Sequence, residues 1–353
     1  MYNGTIDYGY DDLHRLGSAA YAQGTPHTSG TETFAMDRLS NRQTYGDTRD
    51  NQSVGYSANT PANEYVNLGR DKAAYDAAGN LVRRDRLGDM NCDGVLNNSD
   101  VEPFQLAMQG REPYEQQYPN CIWLLGDFNA DGTVNNFDLD PFVIALTSGD
   151  RRRARHYVYD EQNRLALVTK IDGQAVLEVD YDALGRRIRT ITYDDAGPVS
   201  DVVHYYDGQR VLADFAFDTG QLRRYYVDGP LYVDEHVLLY DQAGGADRYY
   251  LLGELYSVVG VVDAAGSLQE AYAYDGYGGV RLFDTSGGPP TAIPASGLGN
   301  PYYFTGRWLD AMPNPLTDPY VYDQLYHYRA RTYDPPHGLA LLARVCYPCP
   351  GAA

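Results

Sequence analysis

The sequence predicts a mainly β protein: an array of β-hairpins interrupted by a small α-helical insert. Three observations lead to that reading. A Tyr-Asp unit, followed by a short turn and then Gly or Asn, recurs along most of the 353 residues. Tyrosine is in excess, 34 residues against 9 Phe, which suits half-buried strands that hold the ring in the sheet and the hydroxyl in water. Residues 88–149 break this pattern with two copies of an Asp/Asn/Gly-rich loop, each trailed by apolar residues at helical spacing.

Residues 1–87 carry the Tyr-Asp unit as YDDLHRL (Tyr10–Leu16), MDRLSNR (Met36–Arg42) and YDAAGNL (Tyr75–Leu81). The Gly-, Ser-, Thr- and Asn-rich stretches between them predict long loops with short strands. Beyond the insert the unit returns from Tyr159, Tyr181, Tyr193, Tyr206, Phe217, Val262 and Tyr274. Asp182, Asp194, Asp207 and Asp218 follow at intervals of 12, 13 and 11 residues, about one strand plus one turn. The expected device is a three-residue hairpin loop. Asp bonds the backbone of the turn, two residues are right-handed, and Gly or Asn takes the left-handed slot. Flanking segments such as ALVTKIDG, AVLEVDY and RRIRTITY alternate as strands with one buried face do. These Tyr, Asp and Gly residues are expected to build sheet, and none is assigned to catalysis.

Within the insert the two loops start at Asp89 and Asp127, 38 residues apart. Oxygen-bearing residues fall at loop positions 1, 3, 5, 9 and 12, with Gly94 or Gly132 at position 6. The first set is Asp89, Asn91, Asp93, Asn97 and Asp100; the second is Asp127, Asn129, Asp131, Asn135 and Asp138. Val95 and Thr133, at position 7, would offer backbone carbonyls. Ca²⁺ takes six to eight oxygens at about 2.3–2.6 Å, and such a loop supplies them from alternate residues around a glycine bend. Two calcium ions are therefore expected; the competing reading is of Asp, Asn and Gly as turn formers alone. Val101, Phe104 and Met108, and Leu139, Phe142 and Leu146, predict one helix after each loop, with Pro103 and Pro141 in the first turns. PYEQQYPNC reads as a spacer. Cys92 and Cys121 are either a disulfide, in an oxidising compartment, or a pair of buried thiols.

The duplicated loops with trailing helices resemble a type I dockerin. That resemblance implies docking to a cohesin through loop positions 10 and 11. Here these are Asn98–Ser99 and Asn136–Phe137, with Leu106 and Ile144 where basic residues are expected. The expected partner is therefore a cohesin-like or cell-surface protein, or a glycan. The Tyr-Asp units resemble the YD repeat of RHS proteins, and NPYYFTGRWLD (Asn300–Asp310) with YHYRARTYDP (Tyr326–Pro335) resembles the RHS-associated core. The resemblance implies part of a curved shell of the kind that encloses a toxin, and a core that supports self-cleavage. No Asp or Glu follows Asp334, so a partial shell without cleavage or effector is expected, a fragment of a longer exported protein at the cell surface or outside it. The expected division is 1–87 and 150–295 as array, 88–149 as insert, 296–340 as core-like segment and 341–353 as an atypical tail.

The totals exclude other classes. A net charge of −20 and a pI near 4.6 argue against nucleic acid, which needs a basic stripe. No apolar run reaches the roughly 18 residues of a membrane span, and the first residues lack the basic and apolar regions of a signal peptide. His14, His27, His156, His204, His236, His327 and His337 form no recognised constellation, and HExxH, GxSxG and GxxxxGK[ST] are absent. A non-enzymatic protein is expected. Cys346 and Cys349 are too isolated to be read as a metal or redox site. The flanks RRDR and DRRRAR are expected to be solvated connections.

Overall fold

Aspartate sets the hairpins. Asp182 Oδ1 accepts the N–H groups of Leu184 and Arg186 at 2.9 Å, and Arg186 Nε returns to Asp182 Oδ2 at 2.7 Å. The Asp182 N–H donates to Arg186 O, the Gly185 N–H donates to Asp182 O, and Gly185 sits at φ +80°. The predicted three-residue loop is thus formed, and the same backbone pattern recurs at Asp11, Asp37, Asp76, Asp160, Asp263 and Asp275. The left-handed slot is not confined to Gly and Asn: His14 and Ser40 fill it at φ 59° and 66°. Three of the predicted loops differ. Asp194 pairs with Gly197 and Asp207 with Arg210 across two-residue turns. After Asp218 the chain closes through a wider loop, with the Ala216 N–H donating to Gln221 O. In the first two the strand runs on through the Asp before turning, and in the third it stops at Ala216, two residues before Asp218, so Asp does not stand at the loop's first position.

The computed structural model describes residues 5–24, 29–38, 40–49, 52–58, 64–129, 131–147, 154–312, 323–329, 331–335 and 339–340. Twenty-one strands, from Ile6–Tyr10 to Thr291–Ile293, form one antiparallel meander in which each strand pairs with the next. The region predicted as long loops carries the regular strands Gly30–Met36, Arg42–Asp47 and Gln52–Ala58. Cross-strand packing there outweighs the weak propensity of Gly and Ser. Tyrosines staple the meander. Tyr181 donates to Leu165 O at 2.8 Å, and Tyr274 donates to Val258 O, each across 16 residues. Tyr159 makes the same bond to Leu81 O at 2.9 Å across 78 residues. Removing the 62 residues 88–149 restores the spacing of 16. The sheet indeed continues across the insert, with Arg83 opposite His156 and Arg84 opposite Arg155.

The flank RRDR is therefore not a solvated linker. It lies in the strand Leu81–Arg86, with Arg84, Asp85 and Arg86 only 1–3% exposed. Arg84 pairs with Asp334 at 3.0 Å and Arg86 with Asp71 at 3.0 Å. Residues 150–153 of the other flank lie outside the described residues, as do Cys346 and Cys349 of the tail.

A second, four-stranded sheet is built from Trp308–Met312, Asp323–His327, Thr332–Asp334 and Leu339–Ala340. It completes both cores of the array. Met312 and Leu325 pack with Leu68, Leu81, Leu165 and Leu177. Leu309 and Tyr326 pack with Tyr226, Leu239 and Val261. The large sheet also curls onto itself. The Gly276 N–H donates to Glu32 Oε2 at 3.1 Å, and the Tyr277 ring stands edge-on to Phe34 at 4.7 Å.

The insert has its own core and three helices, α1 (Val101–Ala107), α2 (Arg111–Gln117) and α3 (Leu139–Thr147). The expected helices after the loops are α1 and α3, and their rings Phe104 and Phe142 stack at 4.1 Å, nearly parallel. The predicted spacer contains α2, whose Tyr114 is fully buried and donates to Met90 O at 2.7 Å. Leu139 does not join the predicted apolar face; it is exposed, while Ala145 is buried.

Candidate metal-binding loops

Each loop ties its side chains to its own backbone in the same way. Asp89 accepts the N–H groups of Asp93 at 3.1 Å and Gly94 at 2.9 Å; Asp127 accepts those of Asp131 and Gly132, both at 3.1 Å. Asn91 accepts from Asp93 N and Asp93 from Val95 N; Asn129 and Asp131 repeat this with Asp131 N and Thr133 N. Gly94 and Gly132 bend at φ 88° and 87°, a region costly for residues with a Cβ. Asn97 with Asp100, and Asn135 with Asp138, form reciprocal caps that start the short turns into α1 and α3. Asp100 also accepts from Met90 N and Asn91 N, and Asp138 from Phe128 N and Asn129 N, which draws position 12 back over the start of each loop.

All twelve predicted positions therefore fall in two matching loops. The carboxylates at positions 1 and 12 are 0–4% exposed in both copies. In the first loop the electrostatics are those of crowded acids. Burial, reinforced by the charges of Asp100 and Asp93, pushes Asp89 up to about 8, and burial pushes Asp100 up to about 6. Every hydrogen bond these two carboxylates accept comes from a backbone N–H. Buried carboxylates without a cationic partner are costly, and this donor set suits a hard cation. Among the described residues, no three His, Cys, Asp or Glu side chains converge into a closed metal cage.

The surroundings of the two loops differ. Cys92, at position 4 of the first, is joined to Cys121 beyond α2, closing a loop of 29 residues. It sits at φ 57°, so the cross-link holds a left-handed residue in that loop. Lys72, from the sheet strand Asp71–Tyr75, feels the charges of Asp127 and Asp138, although burial still holds its amine below its ordinary range.

Sequence reasoning missed a second polar assembly, between the large sheet and the closing segment, which runs from Asn300 and carries the four-stranded sheet. His204 Nδ1 faces Asp214 Oδ1 at 2.8 Å and Nε2 faces Thr190 Oγ1 at 2.9 Å. Asp214 also accepts from Tyr226 Oη at 2.5 Å, and its carboxyl lies below its ordinary range because His204 and Arg224 outweigh burial. Thr190, His204 and Asp214 lie on three adjacent strands, which no local motif could reveal. The carboxylate serves several partners at once, as the hub of a buried network does.

Comparison with protein families finds no matching model, and comparison with curated proteins finds no matching relative. Solved structures similar to this chain include the crystal structure of TcdB2-TccC3-Cdc42, at 14% identity and a TM-score of 0.36. The crystal structure of TcdB2-TccC3-TEV is also similar, at 14% and 0.37, and so is a structure of the Photorhabdus luminescens Tc holotoxin pore, at 13% and 0.36. Each match covers 97% of this chain and 17% of the other. The chain thus spans about a sixth of the structures it matches.

Proposed function

We propose that the chain is a non-catalytic, extracellular segment of an RHS-type β shell whose insert binds two calcium ions. The observation that carries the calcium reading is the pair of matching loops, each with buried carboxylates at positions 1 and 12 oriented by backbone N–H groups alone. Asp89, Asn91, Asp93, Asn97 and Asp100, with the Val95 carbonyl, would hold one ion. Asp127, Asn129, Asp131, Asn135 and Asp138, with the Thr133 carbonyl, would hold the other. The ion would neutralise three carboxylates per loop and so link metal binding to folding of the insert. The Cys92–Cys121 cross-link supports an oxidising compartment, and the tyrosine staples and aspartate turns support the shell reading.

Calorimetric titration of the full chain tests this. Two bound calcium ions are expected for the natural sequence and one for either Asp89→Ala or Asp127→Ala. Unchanged stoichiometry in both variants would refute the ligand assignment. Calcium-dependent capture of a cohesin-like protein, a cell-surface protein or a glycan would extend the role from folding to adhesion.

A further inference from the structure

A cavity of about 70 Å³ lies where the closing segment meets the large sheet. Five arginines line it, Arg186, Arg187, Arg210, Arg307 and Arg329, together with three histidines. Among the described residues two acids share the lining, and Arg186 and Arg187 are paired outside it, to Asp182 and Asp310. Asp228 is engaged by His236 at 2.7 Å, and Asp234 is shared by Arg307 at 2.9 Å and Arg329 at 2.7 Å.

Open donors here stand beside one open acceptor, Asp234 Oδ2, which is ion-paired to Arg307 without a hydrogen bond. Arg187 is 3% exposed. Its Nη1 donates to both oxygens of Asp310 at 2.8 and 2.6 Å and the guanidinium also faces the Tyr181 hydroxyl, while its Nε and Nη2 are buried with no acceptor within 3.5 Å in hydrogen-bonding geometry. Arg307 Nε is likewise buried without an acceptor. Buried guanidinium donors left open are expensive, and a planar fork matches the oxygens of an oxyanion. Cationic side chains surround His327 in the cavity wall. His327 is held well below its ordinary range by burial and by Arg187, His204, Arg307 and Arg329 around it. The space exceeds that of a single water.

We propose that this cavity binds a small tetrahedral oxyanion of the phosphate or sulfate class, bridging Arg187 of the sheet to Arg307 and Arg329 of the closing segment. The anion would satisfy the open donors and fasten the segment to the array. The site is separate from the calcium loops and does not depend on them.

The test is thermal unfolding of the full chain in chelator-treated buffer at constant ionic strength. Phosphate and sulfate are titrated separately against chloride. A saturable rise in melting temperature is expected with the tetrahedral anion and none with chloride. Arg329→Gln, whose side chain is 35% exposed and so tolerates replacement, should raise the concentration needed for half-saturation by about tenfold, the value of one charge-assisted hydrogen bond. Arg187→Met should abolish the rise if it folds. A rise that never saturates, or one of equal midpoint in the natural sequence and Arg329→Gln, would overturn the proposal. A response to phosphate alone or to sulfate alone would identify the ligand within the class.

Discussion

Aspartate does two jobs in this chain, and burial separates them. At Asp182 the carboxylate caps an exposed turn, and hydrogen bonds from Arg186 and Leu184 hold it below its ordinary range. At Asp89 the same side chain is buried among like charges and pushed the other way. Both placements, in a hairpin turn and in an Asp/Asn/Gly-rich loop, were legible from the sequence, because turn and loop chemistry are local. Asp275 was not. It heads an ordinary turn, but the curl of the sheet brings Glu32 against it, and burial with that charge raises its carboxyl to about 7. A carboxyl raised in the folded state adds stability below the unfolded value near 4, and that stability is lost as pH rises through about 7. Urea unfolding at pH 5.5 and 7.5, with calcium saturating, should therefore show a loss of stability at the higher pH that Asp275→Asn reduces. An identical pH dependence in the variant would show that Asp275 is not the group responsible.

The elements of the insert were legible where periodicity was long enough to read. Phe104 and Phe142 repeat at the loop period of 38 and meet face to face. Helix α2 was hidden because it is seven residues long and buries one side chain, Tyr114. The signals were Gly110 before it and Pro113 in its first turn. Phe104→Ala should destabilise the insert by about 3–5 kcal/mol, seen as a lower-temperature transition in calorimetry that leaves the array's own transition in place. Reducing Cys92–Cys121 releases a 29-residue loop, worth about 3–4 kcal/mol on chain-entropy grounds. Since Cys92 belongs to the first loop alone, reduction should weaken one calcium site more than the other. Equal weakening of both would show that the cross-link stabilises the insert generally.

At the scale of the whole molecule, the repeated hairpins predicted a meander but not its closure. Each tyrosine staple reaches back 16 residues, to the carbonyl of an earlier strand, once the insert is discounted. The burial of Arg84 and Arg86 follows from Asp334, 250 residues from Arg84, and from Asp71, a pairing that no local charge count suggests. Replacing residues 88–149 with a two-residue Asn-Gly turn should preserve the β signature in circular dichroism and a cooperative unfolding transition of the array. Loss of that transition would show that the insert helps hold the sheet. The reason to expect survival is the direct pairing of Leu81–Arg86 with Arg155–Tyr159, which holds Arg84 and Arg155, on either side of the insert, about one strand spacing apart, near 4.8 Å. The array thus acts as a socket with a fixed gauge. Any compact module whose termini lie close enough to join those two strands could be plugged in without re-registering either of them. A cassette that melts when its ion is withdrawn would leave the framework around it standing.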